Sequence, residues 1–395
     1  MRNIFSIPFM IGAMILTAFT GMAVAADNQD GPIVIGVLEN ATYAFAPMMK
    51  GSLNIAMEKI NARGGINGRP IKLIFADDGG RKEMGTRAVK KLVKDEKVAM
   101  LVGGYSSSNT LFMAQAAHRL DVPFLVCTAA DDRITQRKKN NIFRLNPPAA
   151  EYTKGLEELL LQKIKPASMA IIYENSPYGT GGGLRMMYFC RENDIEIVDI
   201  IPYHRERAGA DYFDRLIKPL KNNPPDVIYM VSYTKDAVEL VKRIRAAKID
   251  SLFCGGAGGF THPDFISKTG KASQHLLTAT LWTADQEDAL AKQYADLYRA
   301  KYKQTPDYHG AEAYSALMVA ADALRRSKSL KANDIRDALA NTDLSTPFGR
   351  VKFGSHGKYE RQNIQVTLVL QVLGDQYRCV WPQAVSVAEL VLPQK

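Results

Sequence analysis

Apolar runs of four to seven residues recur along the chain, and each is followed by a polar or glycine-rich turn and then by apolar positions at helical spacing. Ile33–Leu38, Ile71–Phe75, Val98–Val102 and Val122–Val126 read as strands buried on both faces. Between the first two, Met49, Leu53, Ala56 and Ile60 mark one side of a helix that Gly64-Gly65 ends. Met84, Ala88, Leu92 and Val93 mark the next helix. Strand and helix therefore alternate, which predicts a parallel sheet with helices on both sides, an α/β fold. Ile142–Leu145 leads out of this unit and Pro147-Pro148 marks a boundary.

A second series of similar build follows. A helix over 149–163 precedes the strand Met169–Tyr173, and a helix from Leu184 to Glu192 leads to the strand Ile195–Ile201. A helix over 211–221, the strand Val227–Val231, a helix over 235–247 and the strand Leu252–Cys254 complete it. The rest offers a strand near Leu276–Leu281, helices at 286–303, 309–326 and 331–340, and β segments at 349–353, 364–373 and 376–381. These pieces are too few for a third core, so they should return to finish two lobes.

The stretch Val98–Ala130 holds the most telling pattern. Gly103-Gly104-Tyr105-Ser106-Ser107-Ser108-Asn109 follows one strand, and Cys127-Thr128-Ala129-Ala130 follows its neighbour. Two small-residue turns at the carboxyl ends of adjacent parallel strands are where open α/β sheets hold ligands. Their hydroxyls and helix-start N–H groups suit a carboxylate or another small anion. Tyr43, Phe45, Tyr105, Tyr178, Tyr233 and Phe260 fall in loops on the same edge and could wall an apolar or planar group.

Length and composition narrow the class. At 395 residues the chain is long enough for two domains, and 46% hydrophobic with 23% charged residues is ordinary globular composition. The first 25 residues differ: a short basic start, an apolar run from Ile4 to Thr20, and Ala23-Val24-Ala25 before the expected cut. This reads as a secretory signal peptide. No cysteine precedes Cys127, which argues against lipid attachment at a processed terminus, and no later run of about 20 apolar residues exists. An exported, unlipidated chain points to a bacterial periplasm. The net charge of +10 is spread along the sequence, which favours a solvated basic surface over a nucleic-acid site. Cys127, Cys190, Cys254 and Cys379 are widely spaced; export permits disulfides, while Cys127 and Cys254 at strand ends also suit small buried groups.

Signals for catalysis are weak. Gly104-Tyr105-Ser106-Ser107-Ser108 begins like a nucleophile elbow but has Ser108 where the motif needs glycine. Gly179-Thr180-Gly181-Gly182-Gly183 lacks dinucleotide-loop spacing, and the six histidines show no paired metal-ligand spacing. Asp77-Asp78 and Asp131-Asp132 read more readily as caps or ion-pair partners. No enzyme activity, cofactor or metal is expected.

The run Ile60-Asn61-Ala62-Arg63-Gly64-Gly65-Ile66-Asn67-Gly68-Arg69, with Ile33–Val37, Asp77-Asp78, Val102–Ser108, Val122-Pro123-Phe124 and Tyr178-Gly179, resembles the type I periplasmic solute-binding proteins of ABC transporters, in the branched-chain amino acid (Leu/Ile/Val) group. The resemblance implies two lobes joined by three crossover hinge segments, which close over a ligand. It places a first lobe at 29–146 plus 279–350, a second at 147–278 plus 351–395, and the ligand between them. By motif, Ser107 and Thr128 would hold the ligand carboxylate, with Ala130 offering backbone and Ser106 close by. Tyr178 and Tyr233 match aromatics of the second lobe, and Tyr43 is the nearest candidate for the usual first-loop tyrosine. Amino-acid binders of the family usually carry an acid in the turn that here reads Gly255-Gly256-Ala257-Gly258-Gly259, so Ala257 is a departure. Either Asp131, Glu174 or Asp236 substitutes, or the ligand lacks an ammonium group, as an aromatic or branched carboxylic acid does. The implied partners are a small carboxylate-bearing solute and an inner-membrane ABC permease, with no nucleic acid and a monomeric chain. A sensory role, presenting ligand to a membrane receptor, uses the same lobes.

Overall fold

The structure is a computed structural model that describes Met1, residues 31–136 and residues 139–392. The expected signal peptide lies outside the described residues. From Pro32 onward the chain folds as one unit.

Strands β1 (Ile33–Glu39), β2 (Ile71–Asp77), β3 (Met100–Gly103), β4 (Phe124–Val126) and β5 (Ile142–Arg144) build the first sheet in chain order up to the crossing. Strands β6 (Ser168–Glu174), β7 (Glu196–Tyr203), β8 (Val227–Val231), β9 (Leu252–Gly255) and β10 (Leu277–Thr280) belong to the second. Later come the two-stranded β11 (Asp343–Thr346) and β12 (Gly349–Lys352), then β13 (Gly354–His356), β14 (Tyr359–Gln362), β15 (Leu368–Leu373) and β16 (Gln376–Trp381). The first sheet runs β13-β14-β5-β4-β3-β1-β2 and the second β16-β15-β10-β9-β8-β6-β7. All pairings from β14 to β2 and from β10 to β7 are parallel, and the outer β13, β15 and β16 pair antiparallel. This is the expected α/β architecture with antiparallel edges added.

The strand interiors explain why both faces are covered. In β1, Ile33, Ile35 and Val37 join one core while Leu38 joins the other. In β6, Met169 and Ile171 divide from Ala170 and Ile172 in the same way. Alternation of buried residues leaves no wet face, so each sheet must lie between helical layers.

The chain passes between the sheets three times, after β5, after β10 and after β14. After β10 the helices Ala289–Tyr302 and Tyr308–Arg326 return to pack on helix Ala46–Ala62 of the first lobe. The expected lobe boundaries need two corrections. Ala279 and Thr280 complete β10 of the second sheet, and β13 and β14 within 351–362 extend the first sheet rather than the second. Both of those strands are short and polar, so they carry no apolar alternation, and β14 is placed by the pairing of Gln362 with Arg144. All four cysteines are buried free thiols. Among the described residues no helix is long and apolar enough to cross a membrane.

Candidate ligand-binding cleft

The first lobe contributes two turns. β3 ends in Gly103 at φ +118°, where a Cβ would lie 2.2 Å from the Leu38 carbonyl oxygen, so only glycine allows the chain to turn there. The turn delivers Ser107 as the first residue of helix Ser107–Arg119. Ser107 Oγ accepts the N–H groups of Ala130 and Asp131, both at 3.1 Å. Its lone pairs are thereby used, which leaves the hydroxyl proton to donate. Thr128 follows β4, and its carbonyl accepts from Asn146 Nδ2 at 2.5 Å and from the Tyr152 hydroxyl at 3.3 Å. Thr128 Oγ1 is buried and has no hydrogen-bond partner among the described residues.

Arg144 fixes this second turn from beneath. It is fully buried, and its Nη1 donates to the Asp131 carbonyl at 2.7 Å and the Ala129 carbonyl at 3.4 Å. Nε reaches Gln362 Oε1 at 2.7 Å and Nη2 reaches Thr135 Oγ1 at 2.9 Å. Burial pulls the guanidinium down to about 10, so it stays cationic at neutral pH behind the turn that the carboxylate reading concerns.

The second lobe contributes tyrosines and a glycine turn. Tyr178 starts helix Pro177–Glu192 and donates its hydroxyl to the Gly256 carbonyl at 3.1 Å. Gly258 has φ +52°, and a Cβ there would lie 2.1 Å from the Tyr178 hydroxyl oxygen. Its N–H donates to the Tyr308 hydroxyl of the first lobe at 3.1 Å. Ala257 is fully buried at φ +60° and ψ −146°, a conformation that costs a side-chain-bearing residue about 1–3 kcal/mol.

Between these turns lies a small cavity of about 20 Å³. Of the expected residues, Ser107, Thr128, Ala130, Tyr178 and Tyr233 line it. Ser106, Tyr43 and Ala257 do not. Ser106 is buried beside Tyr233, and Tyr43 packs outside the cavity against Tyr105 and Tyr233, with ring centroids 4.8 and 6.0 Å away. Ala130 spends its N–H on Ser107. Tyr105, Tyr152, Gly258, Tyr308 and His309 complete the lining, and of these only Tyr105 stood among the aromatics picked from sequence. Phe45 stacks behind His309 at 3.7 Å, while Phe260 belongs to the core of the second lobe.

The polar groups at this surface are mainly neutral donors. Burial pushes the phenols of Tyr105, Tyr152, Tyr178, Tyr233 and Tyr308 up, so all keep their protons at neutral pH. The Tyr308 oxygen accepts from Gly258, so its own hydrogen is free to donate. His309 Nδ1 lies 2.8 Å from Asp307 Oδ2, leaving Nε2 as the second ring nitrogen.

No acid lines the cavity among the described residues, and the three candidates for the missing acid are all occupied elsewhere. Asp131 binds Arg133 at 2.6 Å. Glu174 accepts the Gly179 N–H at 3.0 Å and the Ser176 hydroxyl. Asp236 accepts the Tyr203 hydroxyl at 3.3 Å and faces Arg205 at 3.5 Å. One further acid stands nearby. Glu312, one turn into helix Tyr308–Arg326, is fully buried, and neither of its oxygens has a hydrogen-bond partner among the described residues.

The lobes touch around the cavity. Besides Gly258 and Tyr308, Thr261 Oγ1 donates to Asp307 Oδ2 at 3.0 Å, and His262 Nε2 lies 3.3 Å from the Ala44 carbonyl. His262 Nδ1 accepts the Asp264 N–H, which makes Nε2 the protonated nitrogen and the donor to Ala44.

Comparison with known proteins agrees with this geometry. A family model described as periplasmic binding protein matches residues 32–376. The Leu/Ile/Val-binding protein homolog 7 of Brucella melitensis is 26% identical over 361 residues, which span 87% of this chain and 88% of that protein. Among solved structures, the branched-chain amino acid transporter substrate-binding protein LivJ of Streptococcus pneumoniae, in complex with isoleucine, superposes with a TM-score of 0.79 at 22% identity, covering 88% of this chain and 97% of its own. An ABC-transporter solute-binding protein from R. palustris in complex with benzoate superposes with a TM-score of 0.78 at 18% identity, covering 91% and 98%. With its two sheets, three crossings and a family match over most of its length, the chain belongs to the periplasmic binding protein family.

Proposed function

We propose that this protein is the substrate-binding component of an ABC importer and that it captures a small carboxylic acid without an ammonium group. One observation carries the ligand class: Ser107 and Thr128 offer hydroxyls, five tyrosines make half of the lining, and no acid lines the cavity among the described residues. A carboxylate needs donors, and Ser107 has one free to give. An ammonium needs a carboxylate, and burying one unpaired costs several kcal/mol or more. An aromatic or branched aliphatic acid satisfies these conditions, and the benzoate complex of the R. palustris relative is a precedent on the same fold.

The test is a matched-pair titration by calorimetry. Leucine is set against 4-methylpentanoate, the same skeleton without the amino group, with benzoate alongside. The expected result is 1:1 binding of 4-methylpentanoate or benzoate at least tenfold tighter than leucine. Tighter binding of leucine than of 4-methylpentanoate would return the site to amino acids. The importer role is tested by loss of uptake of the bound acid in a strain lacking the gene, restored by the gene itself.

A further inference from the structure

Glu312, behind the cavity wall, is an acid that the proposed carboxylic-acid site leaves without work. It sits on the same side of helix Tyr308–Arg326 as Tyr308, four residues earlier, since i and i+4 share a face. Residues 308–321 contain no other Asp, Glu, Lys or Arg, so Glu312 is the lone carboxyl of a mostly apolar, buried run, and the one histidine in it, His309, is bonded to Asp307. The groups around it are Thr128 and Cys127 after β4, Tyr152 from the first crossing, and Tyr308 and Asp307 at the start of its own helix. Every titratable member of that set is an acid, a phenol or a thiol, and none supplies positive charge. An ionised carboxylate there would be buried without a counter-ion and with only the Thr128 hydroxyl to donate to it, a state that proteins avoid by keeping the group neutral. Burial indeed holds the Glu312 carboxyl well above the usual carboxylate range; the nearby Thr128 hydroxyl, which lowers it when it donates to the carboxylate, is outweighed.

A neutral carboxyl has one proton to give, and an orphaned acceptor stands beside it. Thr128 Oγ1, like both Glu312 oxygens, is buried without a partner among the described residues, and Thr128 lines the cavity where Glu312 does not. We propose that Glu312 is a positioning residue of the ligand site: it donates its proton to Thr128 Oγ1 and so aims the Thr128 hydroxyl hydrogen at the bound carboxylate. The inference rests on the carboxylic-acid reading of the cleft and deepens it. The same group that would have been the obvious partner for an ammonium acts instead as a neutral donor, and a carboxyl that stays neutral does not repel an incoming anion.

Three variants of the full chain test this, titrated with 4-methylpentanoate and with benzoate from pH 6 to pH 10. Glu312→Leu, which removes the donor, should weaken binding at least tenfold at every pH. Glu312→Gln supplies an amide N–H to the same acceptor and should recover affinity to within about threefold of wild type. Wild-type affinity should fall at the alkaline end, where the carboxyl begins to ionise beside the bound anion, while Glu312→Gln stays flat. Asp307→Asn checks the other acid in the surroundings and should leave the alkaline fall in place. A Glu312→Gln protein as weak as Glu312→Leu, or one that keeps the wild-type pH profile, overturns the proposal. So does loss of leucine binding in Glu312→Gln with the acids unaffected, because that marks an ionised ammonium partner. Infrared difference spectroscopy separates this proposal from the ligand reading. A protonated carboxyl band in wild type at neutral pH, missing from Glu312→Gln, is expected whichever solute binds, and its absence overturns the neutral carboxyl directly.

Discussion

The two sides of the cleft are built differently. The first lobe presents hydroxyls on a turn anchored from beneath, since Ser107 is locked by two N–H donors and the Thr128–Asp131 turn hangs on Arg144. The second lobe presents Tyr178, Tyr233 and a glycine turn, with polar atoms that bond to protein: Tyr178 to Gly256, and Gly258 to Tyr308. One side is preorganised for an anion, and the other side is shaped to cover it. The difference suggests that affinity resides mainly in the first lobe and that the second sets fit and closure.

The sharpest way to break that comparison is to remove the first lobe's donors. Ser107→Ala with Thr128→Val should weaken binding of the cognate acid on the order of a thousandfold, since each hydrogen bond to a charged group is worth about 1.5–3 kcal/mol. Calorimetry with circular dichroism to verify folding measures it, and a loss under tenfold would move the anion site elsewhere. Arg144→Met addresses the anchor rather than the donors. Its loss strips one of two donors each from the Asp131 carbonyl and Gln362 Oε1 and the printed donor from the Ala129 carbonyl, so stability should fall by about 2 kcal/mol in urea unfolding, with weaker binding as a companion effect.

On the covering side the effects should be smaller. Gly258→Ala forces a methyl group against the Tyr178 hydroxyl at a positive φ, and about a thirtyfold loss of affinity is expected, with the first-lobe turns intact. Small-angle scattering with saturating ligand should show less compaction than wild type. The smallest effect concerns pH. The Glu312 pKa is raised in the fold, so folding holds a proton there that the unfolded chain releases above its ordinary carboxylate range. That contribution is whole at low pH and shrinks as pH rises toward the folded pKa. Relative to wild type, Glu312→Gln should therefore gain melting temperature steadily from pH 5 to pH 8, by a few degrees at most; no trend would mean the group titrates normally.

Much of this arrangement was legible in the sequence because it follows from local pattern. The alternating apolar runs give the strands, and Gly103-Gly104 with Ser106-Ser107 gives the first turn. The rest depends on residues that distant segments bring in. Tyr152 comes from the first crossing, and Tyr308 and His309 from a helix that returns after β10, so no spacing links them to Ser107. A weak signal did exist: Asp307 accepts the His309 N–H as a helix cap, and Glu312 stands alone in an apolar stretch. Ala257 was legible as a departure, yet Gly258 beside it lines the cavity instead. The short polar strands β13 and β14 have no apolar pattern to announce them, which misplaced a lobe boundary. Arg144 was unreadable because a buried arginine satisfied by carbonyls has no charged partner to look for.

The contacts that join the rims of the cleft have a kinetic consequence. Gly258 with Tyr308 bonds the lobes within the cavity lining, whereas Thr261 with Asp307 and His262 with Ala44 bond them outside it. The latter two bias the shut arrangement by the same amount for every cargo, so they lengthen residence time without improving discrimination. Selectivity and release are therefore separately adjustable: changes at the floor alter which acid is held, and changes at Thr261 or His262 alter how soon it is handed on.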